Sequence, residues 1–349
     1  MGPEMGRPRR PQRRRSAATV KKRKHYFVTG GAGFVGSNLV ERLMKRGAKV
    51  TVYDNLSLGR KEHVQPFLKS PRFKFIKADL LDFPRLKRAL AGADVVVHMA
   101  ANSDIGYGER YTDWDLKQGT LVTYNVLEAM RLRDIKEIIF ASSSAIFGDT
   151  GTRRITEDYG PLLPISFYGA SKLACEGLIT AFCHNYDRHA WIYRFANIVG
   201  DNATHGVVYD FVTRLKRDPT QLRVLGDGKQ RKPYLYVKEC VDGMLFGFDH
   251  ANEQVNVFNL GCAGSTSVNA VARIVIEEMG LRNVKRCYTG GARGWKSDVP
   301  QVRFNVSKLA ELGWRAKLTS DEAVRVAVRA VIAAFDAKPG TAKRKARRS

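Results

Sequence analysis

From residue 26 onward the chain alternates short β-branched runs with longer stretches whose apolar residues recur every three or four positions. Runs of the first kind read as strands buried on both faces, and the longer period reads as helices laid against them. "YFVT" (26–29), "KVTVYD" (49–54), "FKFIKAD" (73–79), "DVVVHM" (94–99) and "EIIFASS" (137–143) predict five strands. One helix is predicted from about Phe34 to Lys45 and another near 111–132, with Val122, Val126, Ala129 and Met130 on one face. The same spacing recurs at Ala174, Leu178, Ala181 and Phe182. This alternation predicts an α/β fold, a Rossmann-type doubly wound parallel sheet covered on both sides. After "WIYRFANIVG" (191–200) the rhythm loosens. Helices near 207–216, 237–250 and 268–279 follow, with a strand at 255–260 and a last helix over 320–336 that turns Val324, Ala327, Val331 and Phe335 inward. The expected organisation is a sheet domain over 26–200 that carries the reactive residues, then a smaller lobe over 201–337 set above the strand ends, where such sheets bind ligands.

Composition changes this picture only at the chain ends. A 44% hydrophobic fraction over 349 residues is enough for a substantial core. The net charge of +25 suggests a nucleic-acid binder until it is mapped. Residues 1–25 hold ten Lys/Arg against Glu4, and residues 338–349 hold six with no acid, so the tails carry fifteen of those charges. Both tails are poor in large apolar residues and rich in Arg, Lys and Pro, and are expected to be disordered. The N-terminal arginine pairs have no apolar core behind them, which argues against a secretory or twin-arginine signal. No run is long and apolar enough to span a bilayer. The five cysteines (Cys175, Cys183, Cys240, Cys262, Cys287) are scattered and form no Cys-x-x-Cys pair. That suits a reducing cytoplasm and argues against a disulfide framework or a structural zinc, and the isolated histidines suggest no metal.

"VTGGAGFVG" (28–36) follows the first strand and opens the first helix. Gly30, Gly33 and Gly36 would permit a tight turn, close approach of a pyrophosphate and close helix–sheet packing. The helix N-terminus then offers free N–H groups to the anion. Asp54, at the end of the second strand, is placed to accept hydrogen bonds from ribose hydroxyls and to repel a 2′-phosphate, which favours NAD over NADP; Arg60 keeps the other option open. Asp79, ending the third strand, is within reach of an adenine. The bland alternative is a structural glycine turn with no nucleotide.

"FYGASKLACEG" (167–177) sets Tyr168 four residues ahead of Lys172. On a helix the two share a face, so the ammonium is expected to lower the phenol's pKa, as a positive nicotinamide ring would. A phenolate near neutrality is a usable general base toward a sugar hydroxyl. Ser143 in "FASSSAIFG" (140–148) leaves the fifth strand at its C-terminal end and is the candidate hydroxyl to meet both substrate oxygen and Tyr168. Alone, either feature would read as a surface pair or a serine-rich turn; together, behind a dinucleotide turn, they point to chemistry.

With these residues in place, and with "HMAA" (98–101) and "RFANIVG" (194–200), residues 26–336 resemble the extended short-chain dehydrogenase/reductases of the nucleotide-sugar epimerase/dehydratase family. The resemblance implies Tyr168 as base, Lys172 as ribose ligand and pKa modifier, and Ser143 as hydroxyl positioner. It implies NAD held also by Phe34, Val35, Asn55, Leu80, Ala100 and Ala101, with Asn197 helping to hold a sugar-nucleotide diphosphate. It further implies a homodimer through the helices near 111–132 and 168–186. Family dehydratases carry an Asp-Glu pair straight after the catalytic Ser/Thr; here Ser144 and Ala145 stand there. The implied reaction is therefore a 4-epimerase cycle, most simply on UDP-glucose and UDP-galactose: Tyr168 takes the 4-hydroxyl proton, a 4-keto sugar forms and turns over, and hydride returns to the opposite face.

Three departures bear on the substrate. "GDGKQRKPY" (226–234) puts Lys232, beside Arg231, where family members have a diphosphate-binding arginine, and Pro233 replaces an aspartate. Lysine keeps the charge but not the bidentate fork. "WKSD" (295–298) puts Trp295 where an arginine is usual, making Arg293 the candidate substitute and the indole a candidate for stacking on base or sugar. Gly119 occupies a place that is often asparagine. The alternatives are another nucleotide-sugar epimerase, reductase or dehydrogenase, or, from a different class, a nucleic-acid binder using the basic tails in a salt-sensitive way. His98 is expected to be a packing and hydrogen-bonding residue beside the cofactor, and Trp314 a core anchor.

Overall fold

The computed structural model describes residues 23–102 and 105–337. The remainder of the two expected tails, 1–22 and 338–349, lies outside the described residues. Arg23, Lys24 and His25 belong to the body instead: Lys24 pairs with Glu137 at 2.9 Å, and His25 opens the first strand.

In chain order the sheet domain runs β1 (His25–Thr29), α1 (Phe34–Lys45), β2 (Lys49–Asp54), β3 (Phe73–Lys77), α2 (Phe83–Ala89), β4 (Val95–His98), α3 (Ile105–Arg110), α4 (Val122–Leu132), β5 (Glu137–Ser143), α5 (Phe167–Tyr186) and β6 (His189–Phe195). The rest is β7 (Asn197–Val199), α6 (Val207–Arg217), β8 (Gln221–Val224), β9 (Arg231–Lys232), β10 (Tyr234–Tyr236), α7 (Val237–His250), β11 (Val255–Leu260), β12 (Thr266–Ser267), α8 (Val268–Glu278), β13 (Lys285–Tyr288), α9 (Ser307–Glu311) and α10 (Ser320–Asp336). The seven-stranded sheet is parallel throughout, in the order β11-β6-β5-β4-β1-β2-β3. This is the doubly wound Rossmann order with one strand added, and it reverses between β1 and β4.

Each central strand serves two cores because successive side chains point to opposite faces. Tyr26 and Val28 of β1, Val95 and Val97 of β4 and Ile139 of β5 pack toward α1 and α7. Phe27, Val96, Ile138 and Phe140 pack toward α2, α4 and α5. A third core joins α6, α8 and α10 in the lobe, where Val324, Ala327 and Val331 are buried and Phe335 closes the edge against Tyr209. The lobe stretch also gives back to the sheet. Strand β11 pairs with β6 along its length, and α7 covers α1, with Arg42–Asp242 and Arg46–Asp249 ion pairs at 2.8 Å across the two helices.

One helix differs from expectation. The predicted helix over 111–132 is α4 preceded by a wide π turn at Leu116–Leu121, with α3 as a separate element before it. The wide turn falls where α5 presses closest. A Cβ on Gly119 would collide with the Ser171 hydroxyl, which bonds Thr120 Oγ1 at 3.0 Å, while Thr123 donates to the Gly119 carbonyl at 2.7 Å. In α5 the buried face is Ser171, Lys172, Cys175, Glu176, Ile179 and Cys183, and the apolar stripe at Ala174, Leu178, Ala181 and Phe182 faces outward or lies half-buried. Among the described residues, no helix is long and apolar enough to cross a membrane.

Candidate active site

The turn after β1 closes on the strand beside it. Gly30 has φ +65°, and a Cβ there would lie 2.7 Å from the Ala100 amide just past β4. That conformation and that approach both require glycine. A Cβ on Gly36 would run into the Gly30 carbonyl, so helix and turn touch there. At Gly33 only the Gly30 carbonyl comes near, which leaves the position open for a bulky group to approach. No side chain caps α1, so its first-turn N–H groups, those of Phe34 and Val35 among them, remain available to an anion. The chain thus provides the cradle that a dinucleotide diphosphate needs.

Asp54 is buried at the end of β2 and pins this turn. Its carboxylate accepts from the Ala32 N–H at 2.9 Å and from the Leu56 N–H at 2.8 Å. Burial raises its carboxyl pKa, partly offset by those two donors. Asn55 donates to Asp79 at 2.9 Å; Asp79 stands two residues beyond β3 and is followed by the buried Leu80. Ala100 and Ala101 line the opposite lip, half-buried, with the Ala100 N–H on Thr29 Oγ1 at 3.2 Å. Arg60 is exposed nearby. His98 is fully buried between Thr29 at 2.7 Å and Thr123 at 3.0 Å, and burial drives its pKa down to about 3. It is a neutral structural imidazole.

Ser166 starts α5 by accepting from the Gly169 N–H at 3.0 Å, which sets Tyr168 and Lys172 on the turn facing β5. A Cβ on Gly169 would collide with the Ala145 carbonyl, so only glycine lets the helix come this near. The Ser143 hydroxyl, which accepts from the Ala145 N–H at 3.2 Å, stands near enough to the Tyr168 phenol to favour its ionised form. The Lys172 ammonium donates to the Ala141 carbonyl at 2.6 Å and lies 4.7 Å from the Phe140 ring centre and 5.8 Å from that of Tyr168. Burial pushes the Tyr168 phenol up to about 12, against the pull of the neighbouring Ser143 hydroxyl, and pulls Lys172 down to about 8. The expectation that Lys172 brings Tyr168 near neutrality is therefore not met by the chain alone. The lysine is itself desolvated and engaged with a carbonyl, so desolvation of the phenol dominates.

In the lobe, Lys232 on β9 pairs with buried Asp298 at 2.5 Å and sits 4.9 Å from the Trp295 ring centre. Trp295 is 41% exposed. Arg293 donates to the Asp298 carbonyl at 2.9 Å and to Asp149 at 2.7 Å, which ties the lobe to the turn after β5. Arg231 does not join this group; neighbours on a strand point apart, and its guanidinium turns to Ser265 at 2.7 Å. Asn197 is half-buried on β7. Sequence reasoning missed three buried groups behind Ser143, namely Ser142, Glu176 and Arg194. The available signal was position: Glu176 continues the Tyr168–Lys172 spacing by one more turn, and Arg194 opens "RFANIVG".

The family described as NAD dependent epimerase/dehydratase matches residues 26–261. A putative UDP-glucose 4-epimerase of Methanocaldococcus jannaschii is 30% identical over 305 residues, covering 86% of this chain and 95% of its own. UDP-glucuronic acid decarboxylase 4 of Arabidopsis thaliana is 31% identical over 83% of this chain and 65% of its own. The crystal structure of a UDP-galactose 4-epimerase superposes with a TM-score of 0.78 at 35% identity, covering 89% of this chain and 99% of that one.

Proposed function

The chain belongs to the NAD-dependent epimerase/dehydratase family, and from that premise we propose that it is a nucleotide-sugar 4-epimerase acting on UDP-glucose and UDP-galactose. The observation that carries this reading is the placing of Ser143 beside the Tyr168 phenol, with Ser144 and Ala145 next in the chain, where elimination of water would need an acid and a base. The similarity to a putative UDP-glucose 4-epimerase and to a UDP-galactose 4-epimerase structure supports it.

In this reading the Gly30–Gly36 turn and the first-turn N–H groups of α1 hold the NAD diphosphate, Asp54 takes a ribose, and Asn55, Asp79, Leu80, Ala100 and Ala101 line the remainder. Bound NAD supplies the hydride acceptor and donor for passage through a 4-keto sugar, and its positive ring adds the charge that Tyr168 lacks in the chain alone. Tyr168 removes the 4-hydroxyl proton and later returns it. Ser143 orients the sugar oxygen toward that phenol. Lys172, held by the Ala141 carbonyl, keeps a positive charge under the site and offers donors to a ribose. Asn197, Lys232, Arg293 and Trp295 face the nucleotide end, with Lys232 steered by Asp298.

A proton NMR time course with UDP-galactose and catalytic NAD tests this. UDP-glucose should appear at the anomeric signals with no accumulating reduced cofactor, and Tyr168→Phe should slow conversion by roughly 10²–10⁴-fold. An unchanged wild-type spectrum would sink the assignment to these sugars. The second reading, another reaction on a nucleotide sugar, draws on the 31% identity to a UDP-glucuronic acid decarboxylase; carbon dioxide release from UDP-glucuronic acid would favour it. The proposal extends to a homodimer, because Leu121 at the end of the π turn, Tyr124 and Leu132 of α4 and Tyr186 of α5 are exposed apolar residues beside the outward stripe of α5. The free cysteines suit a cytoplasmic site of action. A salt-sensitive contact of the basic tails with nucleic acid would be a separate property.

A further inference from the structure

Three successive turns of α5 meet three consecutive residues of β5. Tyr168 stands beside Ser143, Lys172 bonds the carbonyl of Ala141, and Glu176 receives the hydroxyl of Ser142 at 2.5 Å. The proposed chemistry uses the first two contacts and leaves the third without a role. Arg194 of β6 grips the same carboxylate, with Nε 3.1 and 3.2 Å from the two oxygens and Nη2 2.8 Å from Oε2. Its other arm donates to the Glu157 carbonyl at 2.7 Å, and the guanidinium lies 5.1 Å from the centre of the Phe147 ring in the turn that follows Ser143. The Glu157 carboxylate accepts in turn from the Asn259 N–H of β11. Ser142, Glu176 and Arg194 are all buried.

Such a pair has no need to exist for stability, because apolar replacements of similar volume are often neutral or stabilising. What a forked, desolvated contact provides is direction. Ser142 and Ser143 share one peptide unit, so the residue that fixes the first fixes the backbone that aims the second.

We propose that Glu176 and Arg194 form a positioning clasp that, through Ser142, sets the Ser143 hydroxyl against Tyr168. The inference rests on reading Ser143 and Tyr168 as the reacting pair. Ser142→Ala breaks the link to β5 while leaving the Glu176–Arg194 pair whole, so the fold keeps its buried charges matched. In that variant kcat is expected to fall about tenfold with KM for the sugar nucleotide within about twofold, and Ser142→Thr, which restores a hydroxyl, should recover most of the loss.

A second readout needs no turnover. It is the alkaline absorbance titration of Tyr168 in NAD-loaded protein, taken as the difference between each protein and its Tyr168→Phe counterpart. Asp115 ahead of α4 and Cys175 on α5 act on the phenol, Lys172 lies beside it, and Glu176 and His98 stand next to Lys172; of these Ser142→Ala touches only Glu176, which keeps its Arg194 partner. With Ser143 misaimed, the phenolate loses a donor and the titration moves to higher pH; Ser142→Thr brings it back. A titration that stays in place in Ser142→Ala overturns the clasp, whatever kcat does. A shifted titration in a protein that turns over no UDP-sugar upholds the clasp and overturns the 4-epimerase reading.

Discussion

A histidine fully buried between two threonine hydroxyls cannot readily take a proton, and His98 carries that cost in acid. Its native pKa near 3 lies below the ordinary value of 6.5, so between those limits the unfolded chain binds a proton that the native chain refuses. Stability therefore rises with pH across that window and is lost as pH falls, by at most about 1.4 kcal/mol per pH unit. Urea unfolding at pH 7 and pH 5 should show a steeper acid loss for wild type than for His98→Gln; equal slopes would contradict the assignment. The neighbouring reactive groups tell a related story. That Tyr168 and Lys172 share a face was readable from a spacing of four, and that Ser143 ends a strand was readable from its pattern. That burial would raise the phenol rather than leave it to Lys172 was not, because desolvation depends on what the fold packs around a group. For the same reason Glu176 passed unnoticed: a glutamate in a helix reads as a solvated charge until a buried arginine is placed beside it.

Elements whose two ends carry local signals were legible to the residue. The bounds of α1, β2, β5, α7, β11 and α10 match those expected from apolar period and flanking polar residues. Helix α10 shows why. Thr319 accepts from the Glu322 N–H while the Glu322 carboxylate accepts from the Thr319 N–H at 2.8 Å, a reciprocal cap written in the four letters "TSDE". Thr319→Ala should lower unfolding free energy by about 1 kcal/mol in urea titration, with turnover per folded molecule unchanged. The π turn at Leu116–Leu121 was not legible, since it arises from the fit of Gly119 under Ser171 on another helix. Nor did periodicity tell which side of α5 faces the sheet. The helix has an apolar stripe and a mixed face holding Lys172 and Glu176, and burial goes to the mixed face because that is where the partners are. A period identifies a face; its neighbour decides whether that face is covered.

At the scale of the whole molecule, the stripe of α5 that is exposed at Ala174 and Ala181 becomes the argument for a second copy. Ala181 is exposed on it, away from the reactive face, so Ala181→Arg should convert a dimer to a monomer in sedimentation equilibrium while leaving NAD binding intact. A wild-type protein that sediments as a monomer would remove that proposal. The return of β11 to the sheet has a different consequence. The chain leaves the first domain after β6, builds part of the lobe, comes back to lay down β11, and leaves again. The family match ending at residue 261 closes just after that strand. The two halves are therefore stitched together and cannot be parted by a single cut. Trimming the chain back to residue 200 would strip α7 from α1 and leave β6 as a bare, apolar edge. Limited proteolysis in the lobe should accordingly yield nicked protein that holds together, and a fragment made to end there should aggregate.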